Sequence, residues 1–311
     1  MSADNLTAVT GKANSKSYAA QKRTALIASY VFLTVLSIIW VIPIVWVVLT
    51  SFRAEPGQFS STFFPHAYTG VDGNVQFTNA VFTFKNYRDL FTPREGFDFA
   101  KMWLNTFIVA VISCIISTFF ALATSYVMSR LRFKLRKTFM NIALVMGMFP
   151  GFMSMIAIYF ILKSIGIHQT LLALVLVYSG SSGLGFYVCK GFFDTVPKAL
   201  DEAAMIDGAN KAQVFFYIIL PMAKPIIVYQ ALNAFMGPWM DFIFAKFLMG
   251  TNYDTYTVAI GLYSMLEKER IYTYFRQFAA GSVLVAVPIM VLFMCLQKYY
   301  VEGVTGGAVK G

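Results

Sequence analysis

The sequence predicts an all-α membrane protein of six transmembrane helices with a further helix on the cytoplasmic side. Three observations predict it. The 311 residues are 58% hydrophobic and 13% charged, where a soluble domain carries about 25% charged residues. Six apolar stretches reach the length of about 20 residues that a lipid-spanning helix needs. Lys and Arg cluster beside alternate stretches, so the net charge of +10 reads as membrane topology and not as nucleic-acid binding. The apolar excess excludes a soluble enzyme, a disordered chain and a disulfide scaffold. Cys114, Cys189 and Cys295 lie in apolar runs, so no disulfide is expected. With two His, the chain has few ligands for a metal site.

The elements follow in order. Residues 1–24 read as a polar cytoplasmic tail, with a helix starting near Ala19. Residues 25–300 form the membrane domain, with spans at about 26–49, 104–127, 138–162, 170–190, 226–249 and 277–297. The first is too long for a signal peptide and lacks an A-x-A-like site after it, so it reads as a retained anchor. Pro43, Pro150, Pro238 and Pro288 fall inside spans, where neighbouring helices satisfy the freed carbonyls. Lys12, Lys16, Lys22 and Arg23 precede span one, and Arg130, Arg132, Lys134, Arg136 and Lys137 follow span two. These segments belong on the cytoplasmic side, which places both termini there. Fifteen Lys and Arg then fall inside and nine outside. The outer loop 50–103 is too long for a simple turn and should hold minor structure or a docking role. The tail 301–311 is Gly-rich and a poor helix former on its own.

The most informative stretch is the cytoplasmic segment 190–225. Pro197 suits a first helical turn, and Asp201 and Glu202 follow where the positive helix end favours acids. Gly208 supplies a left-handed stop. A helix over 197–207 follows. Asn210 can cap a second helix, Val214 to Leu220, with Gln213 completing a capping box. On a 3.6-residue period Leu200, Ala203, Ala204 and Asp207 share a face, with Glu202 beside them as an anionic hook. The residues alone fit an ordinary interfacial helix as well as a lever moved by a cytoplasmic partner.

The run Glu202-Ala203-Ala204, then Asp207-Gly208-Ala209 and Ile219-Leu220-Pro221, resembles the EAA motif of permeases from binding-protein-dependent ABC importers. Asn86-Tyr87, Asn105-Thr106 and Gly237-Pro238-Trp239-Met240-Asp241-Phe242 resemble segments of the carbohydrate branch, the MalG-like permeases. Met240 departs from the usual Asn there. The tail Gly306-Gly307-Ala308-Val309-Lys310-Gly311 is also similar, so the likeness runs from about residue 25 to the end. The resemblance implies the type I importer permease fold, with 197–207 as the helix that couples to an ATPase. It implies as partners a second, MalF-like permease, two ATP-binding cassette subunits that bind ATP and Mg, and an extracytoplasmic solute-binding protein. Glu202 then meets the ATPase, Gly208 sets the helix angle, and Val309, Lys310 and Gly311 add a secondary contact. An outer segment within 250–276 would reach the binding protein. The implied solute is an oligosaccharide of the maltodextrin kind, although alginate, raffinose-type sugars and glycerol phosphate are carried by similar subunits. The implied location is the bacterial cytoplasmic membrane, in contact with lipid and no nucleic acid.

Remaining polar residues in spans are candidates by cost alone. Gln230 and Asn233 share a helix face and either line a solute path or join helices. Asp241 either faces that path or pairs with Lys246. Gly180-Ser181-Ser182-Gly183 matches a serine-protease pattern, but His66 and His168 lie in a loop and at a span edge, leaving no base at membrane depth. No G-x-x-x-x-G-K-[ST] run is present, so ATP binding belongs to other subunits. A channel or secondary transporter would have no use for the EAA segment.

Overall fold

The structure, a computed structural model, describes residues 3–54, 63–65, 71–72, 75–76, 81–148 and 151–308. Two compact units are present: residues 1–55 with 59–83, and residues 84–311 with 56–58. In the first, helix α1 (Ala3–Phe52) contains span one and extends well ahead of Ala19. Lengthening an existing helix avoids the cost of nucleation, so the polar residues before the span join it. The loop after α1 does hold minor structure. Strands β1 (Val71–Asp72) and β2 (Val75–Gln76) pair antiparallel, and buried Arg53 donates to the Phe63 carbonyl at 2.5 Å.

The second unit is helical. Helix α2 (Lys85–Leu90) precedes α3 (Phe99–Arg130), whose first turn is capped by Asp98 accepting from the Lys101 N–H at 3.1 Å. Helices α4 (Arg136–Gly147) and α5 (Gly151–Ser164) cover the third expected span, and Pro150 lies outside the described residues. Helix α6 (Leu171–Thr195) is capped by Thr170 and bends by 41° between Gly180 and Gly185. Segment 190–225 forms α7 (Ala199–Ile206), α8 (Lys211–Gln213), a π turn (Val214–Ile219) and α9 (Leu220–Met222). The chain then turns by 84° into α10 (Lys224–Met240). The fifth expected span is interrupted at Asp241 and Phe242, and resumes as α11 (Ile243–Met249). After α12 (Val258–Ser264), α13 (Ile271–Ala308) passes through Pro288 and carries on through Gly303, Gly306 and Gly307. Those glycines, each worth about 1 kcal/mol against a helix, extend a long helix here and do not have to start one. Among the described residues three helices are long and apolar enough to cross a membrane, or up to five if each bent pair is one span.

The core of this unit is strung along α3. One buried cluster lies at its Phe99 end, with Val109, Phe235, Trp239, Leu248, Met249 and Ile260. Another lies at its Arg130 end, with Leu122, Tyr126, Cys189, Phe193, Phe215 and Ile219. Between them Ser113, Ser117, Ala121, Ser125 and Ser129 are all buried at every fourth position. Neighbours at this spacing lie one above another, the row winding about 40° per step around α3, and α3 packs along α6. Lipid tails are as apolar as Leu, so helices in a membrane hold together by close approach and interhelical hydrogen bonds. Small side chains permit the approach, and Ser125 donates to the Phe186 carbonyl at 2.8 Å.

Candidate coupling site

Helix α7 is short because both ends are built to stop. Pro197 and Val196 end α6, with the Val196 N–H donating to the Phe193 carbonyl at 3.2 Å. At the other end Gly208 takes φ +88°, a left-handed value that L side chains rarely adopt. The Ala209 N–H donates to the Ala204 carbonyl at 2.9 Å and the Gly208 N–H to the Met205 carbonyl at 3.2 Å. These are the two bonds of a Schellman stop. Asn210 then starts α8 with a complete capping box: the Gln213 N–H donates to Asn210 Oδ1 at 2.9 Å, and the Asn210 N–H to Gln213 Oε1 at 2.8 Å. The π turn that follows buries Val214, Phe215 and Ile219, a geometry that the spacing did not suggest.

The face drawn from the 3.6-residue period is divided. Ala204 is buried against Phe193, Val214 and their neighbours, whereas Leu200, Ala203, Asp207 and Gly208 are exposed. Glu202 is exposed too, and beside it stand Met205 and Ile206, the latter 85% exposed. Sequence reasoning missed these two apolar residues. The helix and its C-cap therefore present two carboxylates, Glu202 and Asp207, beside an apolar surface.

Asp201 is the acid that turns inward. Its carboxylate lies 3.2 Å from Arg130 Nε, the two side chains being 12% and 3% exposed. Burial raises the Asp201 carboxyl above its ordinary value, Arg130 opposes that shift, and neighbouring Glu202 adds to it. Arg130 also donates to the Val196 carbonyl at 2.8 Å, Ser129 to Asp194 Oδ1 at 2.6 Å, and Tyr126 to the Lys211 carbonyl at 2.9 Å. Lys190 joins Asp194 at 2.5 Å.

The polar residues within the spans divide differently. Gln230 and Asn233 line one cavity of about 300 Å³ with Ser117, Tyr178, Tyr229 and Gly237. Asn233 spends one N–H on the Tyr229 carbonyl of its own helix, at 2.8 Å. Asp241 accepts from the Tyr178 hydroxyl at 2.8 Å and caps α11 through the Phe244 N–H at 3.0 Å. Lys246, the alternative partner weighed for Asp241, donates to the Gly250 carbonyl and the Tyr256 hydroxyl. Val309, Lys310 and Gly311 lie outside the described residues. Among the described residues no group of His, Cys, Asp or Glu could hold a metal ion.

The sequence profile of the family described as "Binding-protein-dependent transport system inner membrane component" matches residues 121–306. The chain belongs to this family. The match spans the Arg130–Asp201 pair, all of α7 and the cavity residues of α10. The permease is 32% identical to the galactooligosaccharides transport system permease protein GanQ of Bacillus subtilis (strain 168), over 92% of this chain and 96% of GanQ. It is 32% identical to the maltodextrin transport system permease protein MalD of Streptococcus pneumoniae (strain ATCC BAA-255 / R6), over 91% of this chain and 95% of MalD. In fold it is similar to a bacterial ABC transporter involved in the import of the acidic polysaccharide alginate, with TM-score 0.69 at 18% identity, over 89% of this chain and 97% of that one. The resemblance drawn from the EAA segment therefore stands, and with it the all-α importer-permease fold. The permease is a transport subunit and not an enzyme.

Proposed function

We propose that this permease is one half of the membrane path of an ATP-driven importer for a neutral oligosaccharide of the maltodextrin class, and that α7 couples it to the ATPase. The observation that carries the reading is α7 itself. It is a helix of eight residues, closed by a Schellman stop, with Glu202, Met205 and Ile206 exposed and Ala204 anchored in the core. Leu200, Glu202, Ala203, Asp207 and Gly208 form the contact surface, and Ala204 fixes its angle. The ATPase subunits bind ATP and Mg; a second permease completes the path, and a binding protein delivers the sugar outside. On this reading residues 1–24 and 301–311 are cytoplasmic, residues 25–300 form the permease domain, and Val309, Lys310 and Gly311 reach the ATPase. The chain sits in a bacterial cytoplasmic membrane. Gln230 and Asn233 contribute to the path from the cavity they share, with Asp241 holding Tyr178 at its wall. The relatives named for maltodextrin and galactooligosaccharide transport support an oligosaccharide solute.

The test is a mild-detergent purification of the chain from its native membranes, followed by mass spectrometry and sugar binding to any recovered binding protein. An ATP-binding cassette subunit, a second permease and a binding protein for maltotriose are expected. Recovery of the chain alone, with solute flux that needs no ATP, would remove the reading. Preference for a galactooligosaccharide or for alginate would reassign the solute and leave the rest. Glu202→Ala together with Gly208→Pro should cut uptake at least about tenfold with the chain still inserted.

A further inference from the structure

Asp201 and Glu202 are adjacent, and a helix turns adjacent residues about 100° apart. Glu202 faces outward, while Asp201 is buried against Arg130, the last residue of α3. The final turn and a half of α3 grips the cytoplasmic segment at successive points. Tyr126 holds the Lys211 carbonyl beyond α7, Ser129 holds Asp194 ahead of it, and Arg130 holds the Val196 carbonyl. The Arg130–Asp201 pair is the member of this set that seizes a side chain of α7 itself. A buried ion pair is a weak source of stability, because desolvation rivals the Coulomb attraction and apolar residues of similar volume pack as well. What it supplies is register. If α7 slid by one turn, two charges would be left buried and alone.

We propose that Arg130 and Asp201 form the strut through which a displacement of α7 is passed to α3, so that both are positioning residues for transport although neither touches solute or ATPase. The proposal rests on α7 being the coupling helix. With Ala204 seated in the core beside them, the pair makes α7 and the end of α3 move as one piece. Force then enters α3 at its last residue and travels along the serine row beside α6.

The experiment uses the whole importer in proteoliposomes, with uptake of a labelled mixture of malto- and galacto-oligosaccharides and ATP hydrolysis read in the same vesicles. Asp201→Asn should leave ATPase-subunit recovery unchanged and hydrolysis within about twofold, while sugar imported per ATP falls roughly tenfold. Arg130→Lys keeps the charge but offers a single ammonium to Asp201 and the Val196 carbonyl, and the same ratio should fall roughly threefold. A wild-type ratio in Asp201→Asn overturns the strut. If Asp201→Asn does not assemble, Arg130→Lys decides: a lowered ratio at normal recovery supports the strut, and a normal ratio overturns it. Glu202→Ala tests the underlying reading separately. Normal recovery and normal hydrolysis in that variant would remove α7 as the ATPase contact, whereas a defect there beside a normal Asp201→Asn removes the strut alone.

Discussion

The two ends of α3 are held in different ways. At the Phe99 end, Asn105 donates to the Asp254 and Tyr256 carbonyls at 2.9 and 3.0 Å, and the Val258 N–H donates to Thr106 Oγ1 at 2.8 Å. These bonds join side chains of α3 to the backbone of the segment before α12 and of its first residue, Val258. The ion pair there, Lys101 with Asp254 at 2.5 Å, is 47% and 79% exposed, where such pairs contribute about 0–1 kcal/mol. At the Arg130 end Tyr126 and Arg130 also staple backbone carbonyls, but a buried ion pair is added that joins one side chain to another. A staple to backbone holds whatever residue stands in the loop. A buried pair holds one particular partner in one particular register. The first kind of joint suits a fixed cap, and the second suits a joint that must transmit movement without slipping.

The sharpest way to break that contrast is Arg130→Ala. It strands the Asp201 carboxylate, frees the Val196 carbonyl and empties a buried site. Unfolding of the detergent-solubilised chain should become easier by about 3–5 kcal/mol. Adding Asp201→Asn should recover part of that loss, since the stranded charge is then gone. A double variant as damaged as the single one would mean that packing of the Arg130 side chain, and not its charge, joins α3 to α7. The corresponding change at the far end, Asn105→Ala, leaves two carbonyls short of a donor. Its effect should be smaller, about 1–3 kcal/mol, with sugar transported per ATP unchanged in the chains that assemble. A fall in that ratio would show that the Phe99 end also transmits movement.

What the sequence disclosed follows the same division. Gly208 and the Asn210–Gln213 box were legible because each depends on local chemistry: a left-handed φ, and a side chain reaching three residues along. The split of α7 into an inward Asp201–Ala204 side and an outward Glu202–Ile206 side was not legible. Periodicity groups residues onto faces but leaves open which face the bundle claims. Arg130 looked like one of five topological cations, because its partner lies 71 positions away in a helix it meets through folding alone. The break at Asp241–Phe242 was hidden by continuous hydropathy, although a carboxylate three residues ahead of the Phe244 N–H is the ordinary signature of a helix start. The Ser113–Ser129 stripe was readable in principle, since four-residue spacing of small residues within a span marks a packed face.

The smallest expected effect on stability is also the one that separates the strut from a structural prop. Burial raises the Asp201 carboxyl above its ordinary 3.8 even though Arg130 pulls the other way. The folded chain therefore holds that proton more tightly than the unfolded chain does. The resulting stabilisation is complete below pH 3.8 and is lost as pH rises through the raised folded value. At neutral pH the ionised carboxylate is then a slight burden on the fold, and the amide introduced by Asp201→Asn keeps an oxygen for Arg130 without the charge. Thermal midpoints of wild type and Asp201→Asn should converge near pH 4. At pH 7 the variant should unfold at or above the wild-type temperature. A prop would show the opposite order, with the variant melting well below wild type at pH 7. A variant that melts no lower yet imports far less sugar per ATP would show that the pair is kept in the protein for transmission, since the fold itself has no need of its charge.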